Sequence, residues 1–162
     1  MKKINKYIFA ILFCGSMFLP LLVFAQLKHF SFEQLDSLQK IEKRPVVVFL
    51  HTSWCKYCGT MKNTTFKNNE VIKGLNQKFY FVSLDIEEKS DITFRGYTFK
   101  FKPTGTNTGV HELAEQLGTI NGQLAYPSIC FLNADNEIIY QHNEFISASQ
   151  LQVILTKIKK GS

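Results

Sequence analysis

Five consecutive apolar residues, Val46-Val47-Val48-Phe49-Leu50, constrain this chain more than any other stretch. A run that is apolar at every position, and β-branched at three, suits a strand buried on both faces of a sheet. Such a strand demands cover from both sides. Arg44-Pro45 comes before it and ends any preceding helix. Ser53-Trp54-Cys55-Lys56-Tyr57-Cys58 follows it, and a helix is expected from Cys55 to about Phe66. A buried strand that feeds a helix at a Cys-x-x-Cys sets the first sulfur at the helix N-terminus. Unpaired backbone N–H groups and the positive end of the dipole favour a thiolate there. The thiolate is the species that attacks disulfides. The second cysteine lies about one helical turn further on, close enough to close a small, reducible ring.

The same spacing also serves zinc ligation or an inert structural disulfide. Structural zinc usually takes four ligands, often as two such pairs. This chain has no second Cys-x-x-Cys, and His51, His111 and His142 have no pairwise ligand spacing. Ligand count and the strand–helix setting favour redox chemistry; the rival functions are a non-catalytic binding module whose pair is a static disulfide, and a carrier of copper or zinc. No metal and no dissociable cofactor is implied.

The first 25 residues read differently from the rest. Lys2, Lys3 and Lys6 precede an apolar stretch from Tyr7 to Phe24, and Val23-Phe24-Ala25 suits a cleavage site. The expectation is a signal peptide over residues 1–25, cut before Gln26, and an exported or periplasmic domain over residues 26–162. An uncleaved membrane anchor is the rival, because the run approaches spanning length. A lipoprotein at Cys14 is disfavoured by the bulky Phe13 before it. Cleavage removes three of the nineteen lysines and arginines and leaves sixteen against thirteen acids, a net charge of +3. So mild a charge gives no support for nucleic-acid binding. Cys55, Cys58 and Cys130 remain, too few for a disulfide-stapled scaffold.

Along the chain, Ser31 and Gln34 suggest a capping box for a helix to Lys43, with Phe32, Leu35, Leu38 and Ile41 inward. Asn68 or Asn69 restarts a shorter helix through Val71, Ile72 and Leu75. Tyr80 to Ile86 reads as a second strand. Asp91 to Lys102 suggests a small hairpin turning at Gly96, and Pro103 to Gly109 a loop. Val110, Leu113 and Leu117 mark a short helix ended by Gly118. A hairpin over Ser128–Leu132 and Glu137–Gln141 follows, then a helix capped by Ser147 with Gln150, facing inward through Leu151, Ile154, Leu155 and Ile158. Nothing marks a second domain.

This order, with Trp54-Cys55-Lys56-Tyr57-Cys58 after the first long strand and Tyr126-Pro127 before the late hairpin, resembles the thioredoxin superfamily, in particular its exported bacterial thiol–disulfide oxidoreductases. The resemblance covers roughly Phe30 to Lys160. It implies an α/β thioredoxin fold, a central mixed sheet flanked by helices, with an insert before a cis-proline. It further implies that Cys55 is the exposed nucleophile and Cys58 the buried resolving thiol. Trp54, Lys56, Tyr57, Tyr126 and Pro127 would meet the substrate, with Pro127 the cis-proline opposite the cysteines. The implied partners are client proteins with thiols or disulfides, and a soluble or membrane redox partner that resets the pair.

The chain departs from thioredoxins proper at three places. Phe49 stands where they carry a buried acid, so the proton relay is missing or replaced. Lys56-Tyr57 replaces Gly-Pro, and Asn63 replaces a helix-kinking proline. Several residues also have plainer readings. Lys56 either lowers the thiolate pKa or is a solvated lysine of a first turn. Tyr57 either stacks on a peptide or is merely half-exposed. His51 reads first as a satisfied structural histidine, and second as a proton relay to Cys58. Cys130, in an apolar run, reads as an inert thiol. The aromatic insert reads as a satellite core before it reads as a substrate platform.

Overall fold

The computed structural model describes residues 26–161. The expected signal segment and its cleavage site therefore lie outside or at the edge of the described residues. The elements run α1 (Phe32–Ile41), β1 (Val46–His51), α2 (Lys56–Asn63), a 3-10 turn (Thr65–Lys67), α3 (Asn69–Lys78) and β2 (Tyr80–Asp85). Next come β3 (Ile92–Phe94), β4 (Tyr97–Phe99), β5 (Phe101–Pro103), β6 (Gly109–His111), α4 (Glu112–Gly118), β7 (Thr119–Ile120) and β8 (Gln123–Leu124). β9 (Ser128–Leu132), β10 (Ile138–His142) and α5 (Ala148–Gly161) close the chain. Among the described residues, no helix is long and apolar enough to cross a membrane.

The central sheet has the order β10-β9-β1-β2. β1 runs parallel to β2, from Val46 opposite Tyr80 to His51 opposite Asp85. It runs antiparallel to β9, from Val46 opposite Leu132 to Leu50 opposite Ser128. Both neighbours are strands and both faces are covered, so every side chain of β1 is buried. Alternation then splits the run. Val46, Val48 and Leu50 join Phe32 and Leu35 of α1 and Leu113 and Leu117 of α4 on one face. Val47 and Phe49 join Met61 of α2, Leu75 of α3 and Leu151 and Leu155 of α5 on the other.

The helix ends follow local chemistry. At the start of α1, the Gln34 Oε1 accepts the Ser31 N–H at 2.9 Å, the expected back-reach of a capping box. Ile41, expected inward, is 83% exposed, because α1 ends on it as the chain turns towards Pro45. The helix expected to reach Phe66 stops at Asn63. The Thr64 hydroxyl donates back to Thr60 O at 2.8 Å, and the buried Thr65 hydroxyl donates to Ile146 O at 2.7 Å. These side-chain bonds compete with the helical ladder, and a 3-10 turn results. Asn68 then caps α3, its Oδ1 accepting from Glu70 N and Val71 N at 3.0 and 3.2 Å.

The insert is more ordered than expected. The hairpin at Arg95-Gly96 forms, with φ of 55° and 74° at its two central residues. The stretch expected as a loop, Pro103 to Gly109, is instead the turn of a second hairpin, β5–β6, and Val110 belongs to β6 rather than to α4. A third, β7–β8, turns at Asn121-Gly122, with φ of 52° and 78°. Asn-Gly is the preferred pair for such a two-residue turn. Gly118 is the last residue of α4, and its next residue is extended, so it does not act through a left-handed cap. A Cβ there would stand 2.7 Å from Leu124 Cδ1 and 3.2 Å from Leu50 Cδ2. A side chain at Gly118 would therefore need the ends of Leu124 and Leu50 to shift. Phe94 and Phe99 bury in the same core as β1, so the insert adds to that core instead of forming a satellite.

Asn68 is the best single test of these local arguments. It caps α3 and also accepts from Gln152 of α5 at 3.1 Å. Asn68→Ala should lower stability by about 1–2 kcal/mol. The check is urea unfolding, with a lower midpoint and an unchanged slope.

Candidate active site

β1 ends at His51, and Thr52 to Cys55 turns the chain into α2, with Cys55 N–H facing Thr52 O at 3.4 Å. Cys55 is the N-cap residue of α2, extended at φ −73° and ψ 108°. Its Sγ accepts the Cys58 N–H at 3.1 Å, as a capping oxygen would. The sulfur therefore sits at the positive end of the helix, and the first turn contains no acid to offset it. Cys55 is half-buried and Cys58 wholly buried. The two form a disulfide with Cα atoms 5.2 Å apart.

The predicted flanking residues gather unevenly around this pair. Trp54 is 62% exposed, its indole N–H donates to Glu87 Oε2 at 3.0 Å, and its ring meets Tyr126 edge-on at 5.2 Å. Tyr57 is 67% exposed and lies 6.5 Å from the ring of Phe145. Lys56 is exposed in the first turn of α2. Pro127 is buried, and the Tyr126–Pro127 peptide bond is cis. Since Ser128 pairs with Leu50, Pro127 lies at the end of the sheet where β1 turns into the cysteine helix. The Ser128 hydroxyl donates to Ala125 O and tightens this turn.

Sequence reasoning missed Glu87, Phe145 and Lys62. Glu87 follows a strand in an acidic run and Phe145 sits in a short loop before Ser147, so neither carries a pattern of its own. Lys62 had a signal, standing four residues after Cys58 on the same helix. His51 is buried, its Nε2 2.9 Å from Ser83 Oγ and its Nδ1 3.2 Å from Lys62 Nζ. It is satisfied, as the plainer reading expects.

The sequence matches a family described as a thioredoxin-like domain over residues 32–159. No curated protein matches it. Among solved structures, a thioredoxin from Thermus thermophilus is 18% identical, with a TM-score of 0.58 over 82% of this chain and 87% of that one. The DsbH oxidoreductase is 17% identical, with a TM-score of 0.57 over 88% of each chain. A putative disulphide-isomerase from Bacteroides thetaiotaomicron is 24% identical, with a TM-score of 0.54 over 83% of this chain and 90% of that one. At such identities the likeness is one of fold.

Cys130 takes no part in the site. It pairs with Val48 in the sheet and buries in the core on the opposite face from Cys58. Burial pushes its thiol up to about 12. At pH 8, native Cys130 should alkylate with iodoacetamide at least about a hundredfold more slowly than in denaturant. Mass spectrometry of the oxidised protein reads this directly. Because the unfolded thiol releases its proton at lower pH than the native one, stability should fall as pH rises from about 9 towards 12. That loss should be reduced in Cys130→Ala.

Proposed function

The chain belongs to the thioredoxin-like family, and on that premise we propose that it is a protein thiol–disulfide oxidoreductase in which Cys55 attacks and Cys58 resolves. The observation that carries this is the asymmetry of the pair. Cys55 caps a helix and reaches solvent, while Cys58 is wholly buried one turn inside. The exposed sulfur gains from the dipole as a thiolate; the buried one is disfavoured as a charge. Cys55 therefore meets the client and forms the mixed disulfide. Cys58 then attacks Cys55, intramolecularly and fast.

The client docks against the exposed aromatic rings. Trp54, next to Cys55 in the chain, contacts Tyr126, and Lys56 and Tyr57, between the two cysteines, are exposed. Pro127 supports the floor at the end of β1. The T-shaped contact and the Glu87 hydrogen bond hold Trp54 in place, so little side-chain freedom is lost on binding. Residues 1–25 act as an export signal, and the domain begins at Gln26. This rests on the three early lysines and the apolar run after them. Clients are then exported proteins with thiols or disulfides, and a soluble or membrane redox partner resets the pair. Whether the protein reduces or oxidises follows its reduction potential against that partner, which redox titration against glutathione measures.

Two cysteine variants test the roles. Cys55→Ser should lose all exchange and trap nothing. Cys58→Ser should lose multiple turnover yet accumulate client bound to Cys55. Non-reducing electrophoresis of extracts with peptide mapping reads both, and adducts on Cys58 in Cys55→Ser would reverse the assignment. N-terminal sequencing of the protein released from its host cells should begin at Gln26; an intact Met1 in a membrane-bound form would reject export.

A further inference from the structure

Resolution places a demand that the cysteine pair cannot meet alone. Cys58 is wholly buried, in a core with Phe49 and Met61, and must lose a proton before it attacks. Phe49 offers no acid or base. Two residues along the same face of β1 stands His51, its ring 5.3 Å from that of Phe49. Lys62 lies four residues after Cys58 on α2, so the two positions stand about one turn apart along the helix. The Lys62 Nζ reaches His51 Nδ1 at 3.2 Å. An ammonium only donates, so Nδ1 accepts, and Nε2–H donates to Ser83 Oγ at 2.9 Å. A cleft of about 740 Å³ opens beside this network, lined among others by Lys62, Ser83, His29 and Phe49.

We propose that Lys62 and His51 form the route by which the Cys58 thiol loses and regains its proton, with the cleft as its outlet to water. This rests on the dithiol-exchange reading above. Lys62 gives a proton to water in the cleft, and its amine, held by His51 Nδ1, takes the proton of Cys58. The Cys58 thiolate then attacks Cys55 Sγ. The Cys55–Cys58 bond forms, and the bond from Cys55 to the client sulfur breaks. The electron pair leaves with the client thiolate, which water protonates. The client is reduced by two electrons and the cysteine pair is oxidised. Lys62 is then an ammonium again, and the oxidising direction runs the same steps backwards.

The surroundings keep His51 uncharged as the acceptor that positions Lys62. Burial, then the Lys62 cation, hold its pKa below the ordinary histidine range, while Asp85 and the Thr52 backbone pull the other way. It is therefore neutral at neutral pH, and its Nδ1 is free to accept the Lys62 hydrogen bond. Asp85 Oδ2, on β2, stands 4.0 Å from Nδ1. His29, on the segment before α1, is also held low, by burial and then by Lys62. Lys62 is thus the cation and Asp85 the anion that face His51 among the described residues.

The test follows Trp54, the chain's single tryptophan, while reduced protein reacts with glutathione disulfide. Attack by Cys55 scales with glutathione disulfide concentration; resolution by Cys58 does not. Lys62→Gln, Lys62→Arg and His51→Gln should each slow resolution about 10- to 100-fold at pH 7. Attack should change less than about twofold, since the pair acts on Cys58 and the first step needs only the Cys55 thiolate. The defect should shrink as pH rises and solvent deprotonates Cys58 directly. Arginine keeps the charge but cannot hand on a proton, so it separates the two roles of Lys62. Because Lys62 is exposed, its variants carry the test even where His51→Gln fails to fold. Wild-type resolution rates in both Lys62 variants would overturn the proposal, and so would full rescue by Lys62→Arg alone. A wild-type protein that shows neither phase overturns the exchange reading and this one with it.

Discussion

β1 carries six side chains, Val46 to His51, and all of them are buried. That single constraint organises the molecule. A strand with strands on both edges and cover on both faces can end only where its cover ends. The chain leaves the core at Ser53, after the buried Thr52, and whatever follows stands at the edge of the sheet. Here it is the cysteine pair. Burial of each Val or Leu on β1 contributes about 1.5–3 kcal/mol, so the register of this strand is the most costly feature to disturb. The site inherits that rigidity. Cys55 caps a helix whose start is fixed by β1, and Pro127 reaches the same end of the sheet through the β1–β9 register.

The two faces of β1 divide the work. The face of Val46, Val48 and Leu50 is wholly apolar and takes the insert, α1, α4 and the inert Cys130. The face of Val47, Phe49 and His51 lies against the helix that bears Cys58. Only there does the strand place a titratable group, at its last position, where Ser83, Lys62 and Asp85 satisfy or offset it. A histidine inside the strand would have lacked such partners and would have destabilised the sheet. At the strand end, polar groups of β2 and α2 come within reach.

The insert shows a related economy of means. Three short hairpins between β2 and β9 are too small to hold together alone. Phe94 and Phe99 anchor the first to the common core. His111 N-caps α4, its Nδ1 accepting from Leu113 N at 3.3 Å, and links the second to that helix. The third turns at Asn121-Gly122 and delivers the chain to Tyr126 and Pro127.

Much of this was legible in the residues themselves. An all-apolar, β-branched run has one physical solution, a doubly covered strand, and the capping patterns at Ser31, Asn68 and Ser147 are local bonds between near neighbours. The Cys-x-x-Cys spacing set the two sulfurs a helical turn apart, and the family resemblance named the fold. Other features needed the folded chain. The helix after Cys58 stopped early because Thr65 found Ile146, a residue 81 positions away. The stretch around Pro103 to Gly109 paired as a hairpin whose strands are too short to show a period. The aromatic rim joins Trp54 to Tyr126 and Tyr57 to Phe145, and the polar network joins His51 to Lys62, Ser83 and Asp85. Sequence by itself determined what depends on neighbours along the chain: burial pattern, caps, turns and the spacing of the sulfurs. Tertiary structure alone decided which distant side chains meet, because sheet register and helix packing set those distances, and no local pattern encodes them.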